Sequence, residues 1–331
     1  MTDTDTAASN RPETVSLPLP DRGYARLTDR ILVRVSGPGT DKFLQGQFSQ
    51  HLDEVTNNRA LRAAASNPKG RAYCLTRLAR DGDSVVLDLP AALADQILAQ
   101  LRKYLMLFRG TTMAPLEDGL IWGLLGRETA SAIAGRDISG LESAGDTLGV
   151  DSGLLIRVES DDRGTERYEF WQTSGEQPEF GDAPELSLAD WHATEIAAGI
   201  PALDEANWET FVPQMLNLQH LGGIHFKKGC YTGQEVIARM HFLGQLKKSL
   251  FRFRSAGSIA PGADIKMGER TVGSVVNQVA FEDGSVELLA VVRHDAAAQP
   301  LSADGNALTA LPLPYAVPER EQDNGPDDSA R

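Results

Sequence analysis

The spacing of apolar residues along the first third of the chain predicts alternating strands and helices. Ile31–Val35 alternates as a strand does, and Thr40 or Asp41 then caps a helix. Tyr73–Leu78 and Ser84–Leu89 form a predicted hairpin, with a glycine between them to supply the positive φ of the turn. A second helix follows Pro90. Its apolar residues recur at helical spacing: Leu93, Ile97, Leu101 and Leu105. This order is most of a split βαβ unit and predicts an α+β, ferredoxin-like domain over residues 23–112.

The remainder of the chain predicts two further domains. Residues 113–245 contain a hairpin built from Leu154–Glu159 and Arg167–Gln172, and a helix capped by Ser187. These elements indicate a second α+β domain. Residues 246–316 are short apolar runs separated by turn residues, the pattern of a small antiparallel barrel. Its predicted strands are Leu250–Arg254, Arg270–Phe281 and Val286–Arg293.

Composition and charge narrow the class of protein. A length of 331 residues predicts two to three domains. Residues 1–22 and 317–331 are polar and acid-rich, which predicts disordered tails. The formal charge of −14 argues against direct nucleic-acid binding. We find no apolar run long enough for a membrane span and no secretory signal, and two cysteines cannot form a disulfide framework. We therefore expect a cytoplasmic protein without a membrane partner.

One stretch departs from the acidic background. Residues 220–254 hold seven basic residues and a single acid, Glu235. The basic residues are Lys227, Lys228, Arg239, Lys247, Lys248, Arg252 and Arg254. A positive island in a negative protein indicates a bound anion, although a solvated turn is the alternative. The common phosphate-loop, dinucleotide, zinc-protease and hydrolase motifs are absent from the chain.

Within this stretch, Cys230 is the candidate nucleophile. Thr232-Gly-Gln-Glu235 fits a capping box, which would start a helix two residues after the cysteine. The helix dipole and the nearby Lys228 should then lower the pKa of the thiol, and Gly229 and Gly233 should let a ligand approach the backbone. The alternative is a buried, inert cysteine. A metal site formed with the neighbouring histidines lacks any recognised ligand spacing, and we predict none.

Two other segments carry candidate ligand contacts. Lys69 and Arg71 flank a glycine in the turn Asn67–Arg71, and Trp191 lies on a predicted helix. A solvated turn and a core tryptophan are the alternatives. Together with the basic island, the ring of Trp191 and the cations of the turn would suit a ligand that has both a flat ring and an anionic tail.

The eight residues Lys228-Gly-Cys-Tyr-Thr-Gly-Gln-Glu235 resemble the signature of the YgfZ family, the bacterial folate-binding proteins of the iron–sulfur pathway. They comprise Lys228, Gly229, Cys230, Tyr231, Thr232, Gly233, Gln234 and Glu235. Further segments resemble the same family across roughly residues 23–316: Phe43–Gln47, Lys69–Arg71, Gly199–Pro201, Phe211–Gln219 and Gly268–Val292.

The resemblance implies a three-domain ring like that of the glycine-cleavage T-protein, with tetrahydrofolate as cofactor. It also implies a role in the assembly or repair of [4Fe–4S] clusters. Its partners would be iron–sulfur assembly proteins and client radical-SAM enzymes, including those that modify tRNA. Cys230 would be catalytic, and the folate would lie near Trp191, Lys228, Arg239, Lys69 and Arg71. Arg30 stands where some relatives carry a second tryptophan.

Two alternatives stay open. The first is aminomethyl transfer of the T-protein type. The T-protein has an acidic residue beside its folate, whereas the corresponding segment here, Gly70-Arg-Ala-Tyr-Cys74, contains no carboxylate. The second is a scaffold that senses folate without turnover.

Overall fold

The computed structural model describes residues 14–176, 178–242, 244 and 246–318. Its helices are α1 (Thr40–Gln47), α2 (Ala94–Leu105), α3 (Arg127–Ala134), α4 (Leu188–Ala197) and α5 (Gln234–Phe242). Its first ten strands are β1 (Gly23–Arg26), β2 (Arg30–Ser36), β3 (Leu61–Ser66), β4 (Ala72–Asp81), β5 (Ser84–Pro90), β6 (Thr112–Pro115), β7 (Leu120–Leu125), β8 (Thr147–Val150), β9 (Gly153–Val158) and β10 (Arg167–Gln172). The remaining strands are β11 (Lys248–Ser255), β12 (Asp264–Met267), β13 (Arg270–Ala280), β14 (Val286–Arg293), β15 (Leu301–Ala303) and β16 (Asn306–Leu311).

These strands form two five-stranded sheets and a closed barrel. The first sheet has the order β3-β4-β5-β2-β6, and the second has the order β1-β7-β10-β9-β8. The barrel closes in the order β11-β14-β13-β12-β15-β16, and its pairings are antiparallel. The predicted α+β class and the C-terminal antiparallel barrel are confirmed.

The first sheet is buried on both faces, and alternation along its strands decides which core each side chain joins. On β2, Val33 and Val35 join the larger core with residues of α1 and α2. Leu32, one position before Val33, points to the other face and joins the core shared with the second sheet, where Trp171 and Trp191 lie. The two sheets therefore stack through one apolar layer, while α1 and α2 cover the opposite face of the first sheet.

The predicted domain boundaries do not coincide with the sheets. β1 pairs with β7, with Gly23 opposite Leu125, so it belongs to the second sheet. β6 pairs with β2, with Val33 opposite Pro115, so the predicted boundary after residue 112 falls inside a strand of the first sheet. A periodic pattern identifies a strand but does not identify its hydrogen-bonding partner.

The N-terminal prediction is wrong for its last residues. Val15 is fully buried, and its backbone N–H donates to Ala280 O at 3.0 Å. Its carbonyl accepts from Glu282 N at 3.0 Å, so this segment packs on the barrel. The first thirteen residues of that predicted tail, and residues 319–331 of the C-terminal one, lie outside the described residues.

The predicted cap of α1 is also wrong. The Thr40 hydroxyl donates to Gly37 O at 2.9 Å, and the Asp41 carboxylate binds Arg80 at 2.8 Å, so neither side chain caps the helix. Within the described part of the chain, no helix is both long and apolar enough to cross a membrane.

Candidate functional site

The loop that precedes α5 lies against the segment that follows α1. Gln50 Nε2 donates to Gly222 O at 2.7 Å, and the Ser49 hydroxyl donates to Gly223 O. The backbone N–H of His225 donates to Ser49 O at 2.9 Å. Residues more than 170 positions apart in the chain are thereby joined side by side, which fixes where the signature loop, residues 228–235, begins.

Lys228 points into this junction. Its Nζ donates to three backbone carbonyls, those of Gln45 at 2.7 Å, Phe48 at 2.6 Å and Gln50 at 2.8 Å. Burial lowers the pKa of Lys228 to about 7, while three carbonyl acceptors favour the charged ammonium. An ammonium has three N–H donors, and all three are engaged. The prediction that Lys228 meets the anionic tail of folate therefore disagrees with the structure.

Cys230 is an exposed free thiol, whereas Cys74 is fully buried. Cys74 lies on β4, and its side chain is part of the core. The alternative of a buried Cys230 does not hold. An exposed thiol on a fixed loop can reach a ligand or a partner, which is the geometric requirement for the chemistry proposed from the sequence.

The predicted capping box at α5 is wrong. The N–H of Thr232 donates to Gly46 O at 3.1 Å, and its hydroxyl points at the same carbonyl. The carboxylate of Glu235 pairs with Arg239 at 2.8 Å instead of reaching back. The side chain that does reach back is Gln234, whose Oε1 accepts from Tyr231 N at 3.1 Å. Burial raises the pKa of the Tyr231 phenol to about 12.

Two turns predicted as separate features pack on one another. Gly233 has φ +84°, and a Cβ there would lie 2.6 Å from Asn67 O. Gly70 has φ +73°, and its Cβ would lie 2.8 Å from the Val236 side chain. Asn67 Oδ1 accepts from the backbone of Lys69 and Arg71 and holds the turn closed. The structure thus brings the turn Asn67–Arg71 against the start of α5.

The predicted cations at this junction differ in availability. Lys69 and Lys227 are exposed. Arg239 is exposed too, and it pairs with a surface carboxylate, that of Glu235. The guanidinium of Arg71 binds the carbonyl of Thr210, so it serves the turn. A solvent-borne anion can reach Lys69, Lys227 and Arg239.

Trp191 is part of the core. Its side chain is fully buried on α4, and a Cβ at Gly123 would lie 2.5 Å from the indole ring. The Arg167 guanidinium covers the ring 4.3 Å from its centroid. Both contacts leave the indole without an exposed face, so the predicted stacking of Trp191 on a ligand disagrees with the structure.

Between the two sheets lies a buried ion-pair network that the sequence analysis missed. Arg30 binds the carboxylate of Glu195, contacts Glu169 at 3.2 Å and lies 3.7 Å from Asp88. Burial lowers the pKa of Arg30, but these carboxylates raise it more, and it stays well above its usual value. Arg30 and these three partners lie on four separate elements, so no local motif marks them. Arg30 is the centre of this network.

Glu159 forms the second part of the network. Its carboxylate accepts from Arg62 at 2.7 Å and from Arg77 at 2.9 Å. Burial raises the pKa of Glu159, but the two guanidinium groups lower it further, and it lies well below its usual value. Arg62 and Arg77 belong to the first sheet and Glu159 follows β9 of the second, so this pair joins the sheets electrostatically.

Two buried donors next to this network have no partner among the described residues. They are Nη2 of Arg167 and Nε1 of Trp191. Burial lowers the pKa of Arg167 to about 10. Buried donors are normally satisfied, so this place suits an acceptor atom. A folate offers acceptor atoms on its ring edge for such donors and carboxylates for the exposed cations, whereas the buried Trp191 ring offers it no stacking surface.

Among the described residues, neither a metal-binding group of side chains nor the cavity beside Gly37 marks the loop. His225 Nε2 pairs with Glu54 at 3.1 Å, and His241 stacks on Phe226 with 3.6 Å between ring centroids. Among the residues that the structure describes, no group of three His, Cys, Asp or Glu side chains is placed to hold a metal ion. A cavity of about 550 Å³ opens beside Gly37 and Lys42, and none of the predicted site residues lines it.

Comparisons with known proteins bear on both sequence and fold. No protein-family model matches the chain. The chain is similar to the tRNA-modifying protein YgfZ of Escherichia coli O157:H7, with 33% identity over 304 residues, 88% of this chain and 93% of that protein. The YgfZ protein of Shigella boydii matches over the same shares at 33% identity.

Among solved structures, the chain is similar to the glycine cleavage system aminomethyltransferase T from Bartonella henselae. The TM-score is 0.70 at 16% sequence identity, and the alignment covers 89% of this chain and 86% of that one. At this identity the likeness concerns the fold, and the predicted T-protein-like architecture is confirmed.

Proposed function

The chain belongs to the YgfZ family of tRNA-modifying proteins, and from this premise we propose that it binds tetrahydrofolate and supports the assembly or repair of [4Fe–4S] clusters. Its clients would be cluster-dependent enzymes, among them the radical-SAM enzymes that modify tRNA. The observation that carries the proposal is the exposed thiol of Cys230 on a loop fixed by two distant segments.

Each part of the site has a proposed task. Cys230 supplies a sulfur that a ligand or a partner protein can reach. Lys69, Lys227 and Arg239 supply positive charge for the glutamate tail of the folate. The unpartnered donors of Arg167 and Trp191 supply hydrogen bonds to a buried acceptor. Bound tetrahydrofolate would supply a carrier for one-carbon units. The thiol is proposed to act as nucleophile toward such a unit or toward sulfur or iron of a partner.

Aminomethyl transfer has less support from the residues. The segment from Gly70 to Cys74 offers no carboxylate. Its cysteine is buried in the core, and Arg71 is bound to the carbonyl of Thr210. The likeness to an aminomethyltransferase concerns the fold, which hosts different chemistries in related proteins.

The deciding experiment replaces Cys230 with Ala and with Ser. Since the side chain is exposed, we expect the melting temperature to stay within a few degrees and tetrahydrofolate binding to persist. Complementation of a strain that lacks its own relative should be lost, measured as thiolated tRNA. Complementation by both variants, or no binding of tetrahydrofolate by the native protein in calorimetry, would contradict the proposal.

A further inference from the structure

The C-terminal end of α1 is completed by the signature loop. The last carbonyls of a helix have no partner within it and carry the negative end of its dipole. Here the carbonyl of Gln45 accepts from Lys228 Nζ at 2.7 Å, and that of Gly46 accepts from Thr232 N at 3.1 Å. Two residues of the loop thus satisfy two successive carbonyls of α1, one on each side of Cys230.

The ammonium of Lys228 has no donor left for a ligand. Its other two bonds go to the carbonyls of Phe48 and Gln50, at 2.6 and 2.8 Å, in the chain just after α1. The same ammonium lies 4.8 Å from the centroid of the Tyr231 ring. Three converging carbonyls suit a compact ammonium with tetrahedral donors and do not suit a planar guanidinium.

We propose that Lys228 is a positioning residue, which clamps the signature loop onto the end of α1 and so fixes the place of the Cys230 thiol. Its role is to hold the loop, and the anionic tail of a ligand is bound by other cations. The inference rests on the proposed function only in treating Cys230 as the reactive group.

The test compares Lys228→Met with Lys227→Met in the full chain. Lys227 is the adjacent exposed lysine, so both variants lose the same charge next to the loop. Two measurements report on the clamp: hydrogen exchange of the His225 and Thr232 amides, and the alkylation rate of Cys230 by the neutral reagent iodoacetamide. Cys74 is fully buried in the native fold, so it does not compete for the reagent.

We expect Lys228→Met to speed exchange at both amides by about tenfold or more, because charge-assisted hydrogen bonds are lost. The alkylation rate should change severalfold, while Lys227→Met matches the native protein in both measurements. Equal behaviour of the two variants would overturn the clamp. A loss of tetrahydrofolate affinity specific to Lys228→Met, with unchanged amide exchange, would also overturn it and assign Lys228 to the ligand.

Lys228→Arg separates geometry from charge and is the deciding variant if Lys228→Met does not fold. The clamp predicts faster amide exchange in Lys228→Arg, since a guanidinium cannot reach all three carbonyls. A purely electrostatic role predicts native behaviour, which would overturn the proposal. All these readouts are independent of cluster repair, so the clamp can stand even if the Cys230 variants still complement.

Discussion

Gly229 and Gly233 lie in one loop but meet different surroundings. Gly233 has φ +84°, and a side chain there would collide with Asn67 O. Packing of the turn Asn67–Arg71 on the start of α5 therefore requires a glycine at this position. At Gly229, next to the thiol, an added Cβ would meet no atom within 4 Å. The fold does not require this glycine, and the space above it is open to a ligand.

This difference predicts opposite outcomes for two alanine substitutions. Gly233→Ala should destabilise the protein by about 1–3 kcal/mol through backbone strain and the collision. Gly229→Ala should change stability by less than about 0.5 kcal/mol. Urea unfolding followed by circular dichroism measures both. Equal losses of stability would refute the assignment, and a stable Gly229→Ala protein that binds tetrahydrofolate poorly would support the close approach of a ligand.

At this scale the sequence located the loop but misassigned some of its side chains. The excess of basic residues favoured an anion as the partner of Lys228, yet its partners are backbone carbonyls at and just after the end of α1. Every residue has a carbonyl, so no sequence signal marks those that a lysine binds. The prediction for Trp191 was wrong for a similar reason, since the burial of its ring depends on Gly123 and Arg167, which lie on distant strands.

Two helices show when a capping pattern succeeds. At α4, Ser187 Oγ accepts from Asp190 N at 3.0 Å, and Asp190 accepts in return from Ser187 N at 3.0 Å, as predicted for Ser187. At α5, Thr232 faces the free carbonyl of Gly46, which takes its N–H. The hydrogen bond from Thr232 to Gly46, a residue distant in sequence, takes the place of the predicted capping box.

Stability measurements should separate these two helix starts. Ser187→Ala should cost about 1 kcal/mol, the usual value of a lost cap. Glu235→Ala removes only an exposed pair with Arg239, so the loss should stay below about 0.5 kcal/mol. Chemical denaturation of both variants tests this order. A larger loss for Glu235→Ala would restore the capping box at α5.

Element types were predictable, whereas strand partners were not. Apolar alternation identified β2, β4 and β5, and Gly82 marked their hairpin with its φ of +59°. Nothing local to β1 indicates that it pairs with β7 rather than with β2. Partner choice is decided by the faces that two sheets bury together, a property of distant segments.

Across the whole molecule, the two sheets are held together by ion pairs in addition to the apolar layer between them. Glu159 from the second sheet binds Arg62 and Arg77 of the first. Removing one member of a buried ion pair leaves its partners charged without compensation. The position of this glutamate makes it a test of how firmly the sheets are held together.

Glu159→Ala should therefore destabilise the protein by about 3–5 kcal/mol at neutral pH. The native pKa of Glu159 lies below its unfolded value, so its stabilisation is full above about pH 4.3 and is lost as the pH falls from there. The difference in unfolding free energy between native and variant protein should shrink accordingly. Urea titrations from neutral pH to pH 3 measure it, and a constant difference would contradict the linkage.

The chain enters the second sheet through β1, crosses to the first sheet for β2 to β6, and returns at β7. In topological terms, the first sheet is an insertion within the second. A single cut of the chain between the two sheets cannot release the second sheet intact, because it separates the edge strand β1 from β7. During synthesis on the ribosome, roughly one hundred residues separate β1 from its partner β7, which places Leu125 opposite Gly23. The first sheet can fold during that interval, and β7 then follows it along the chain and pairs with β1.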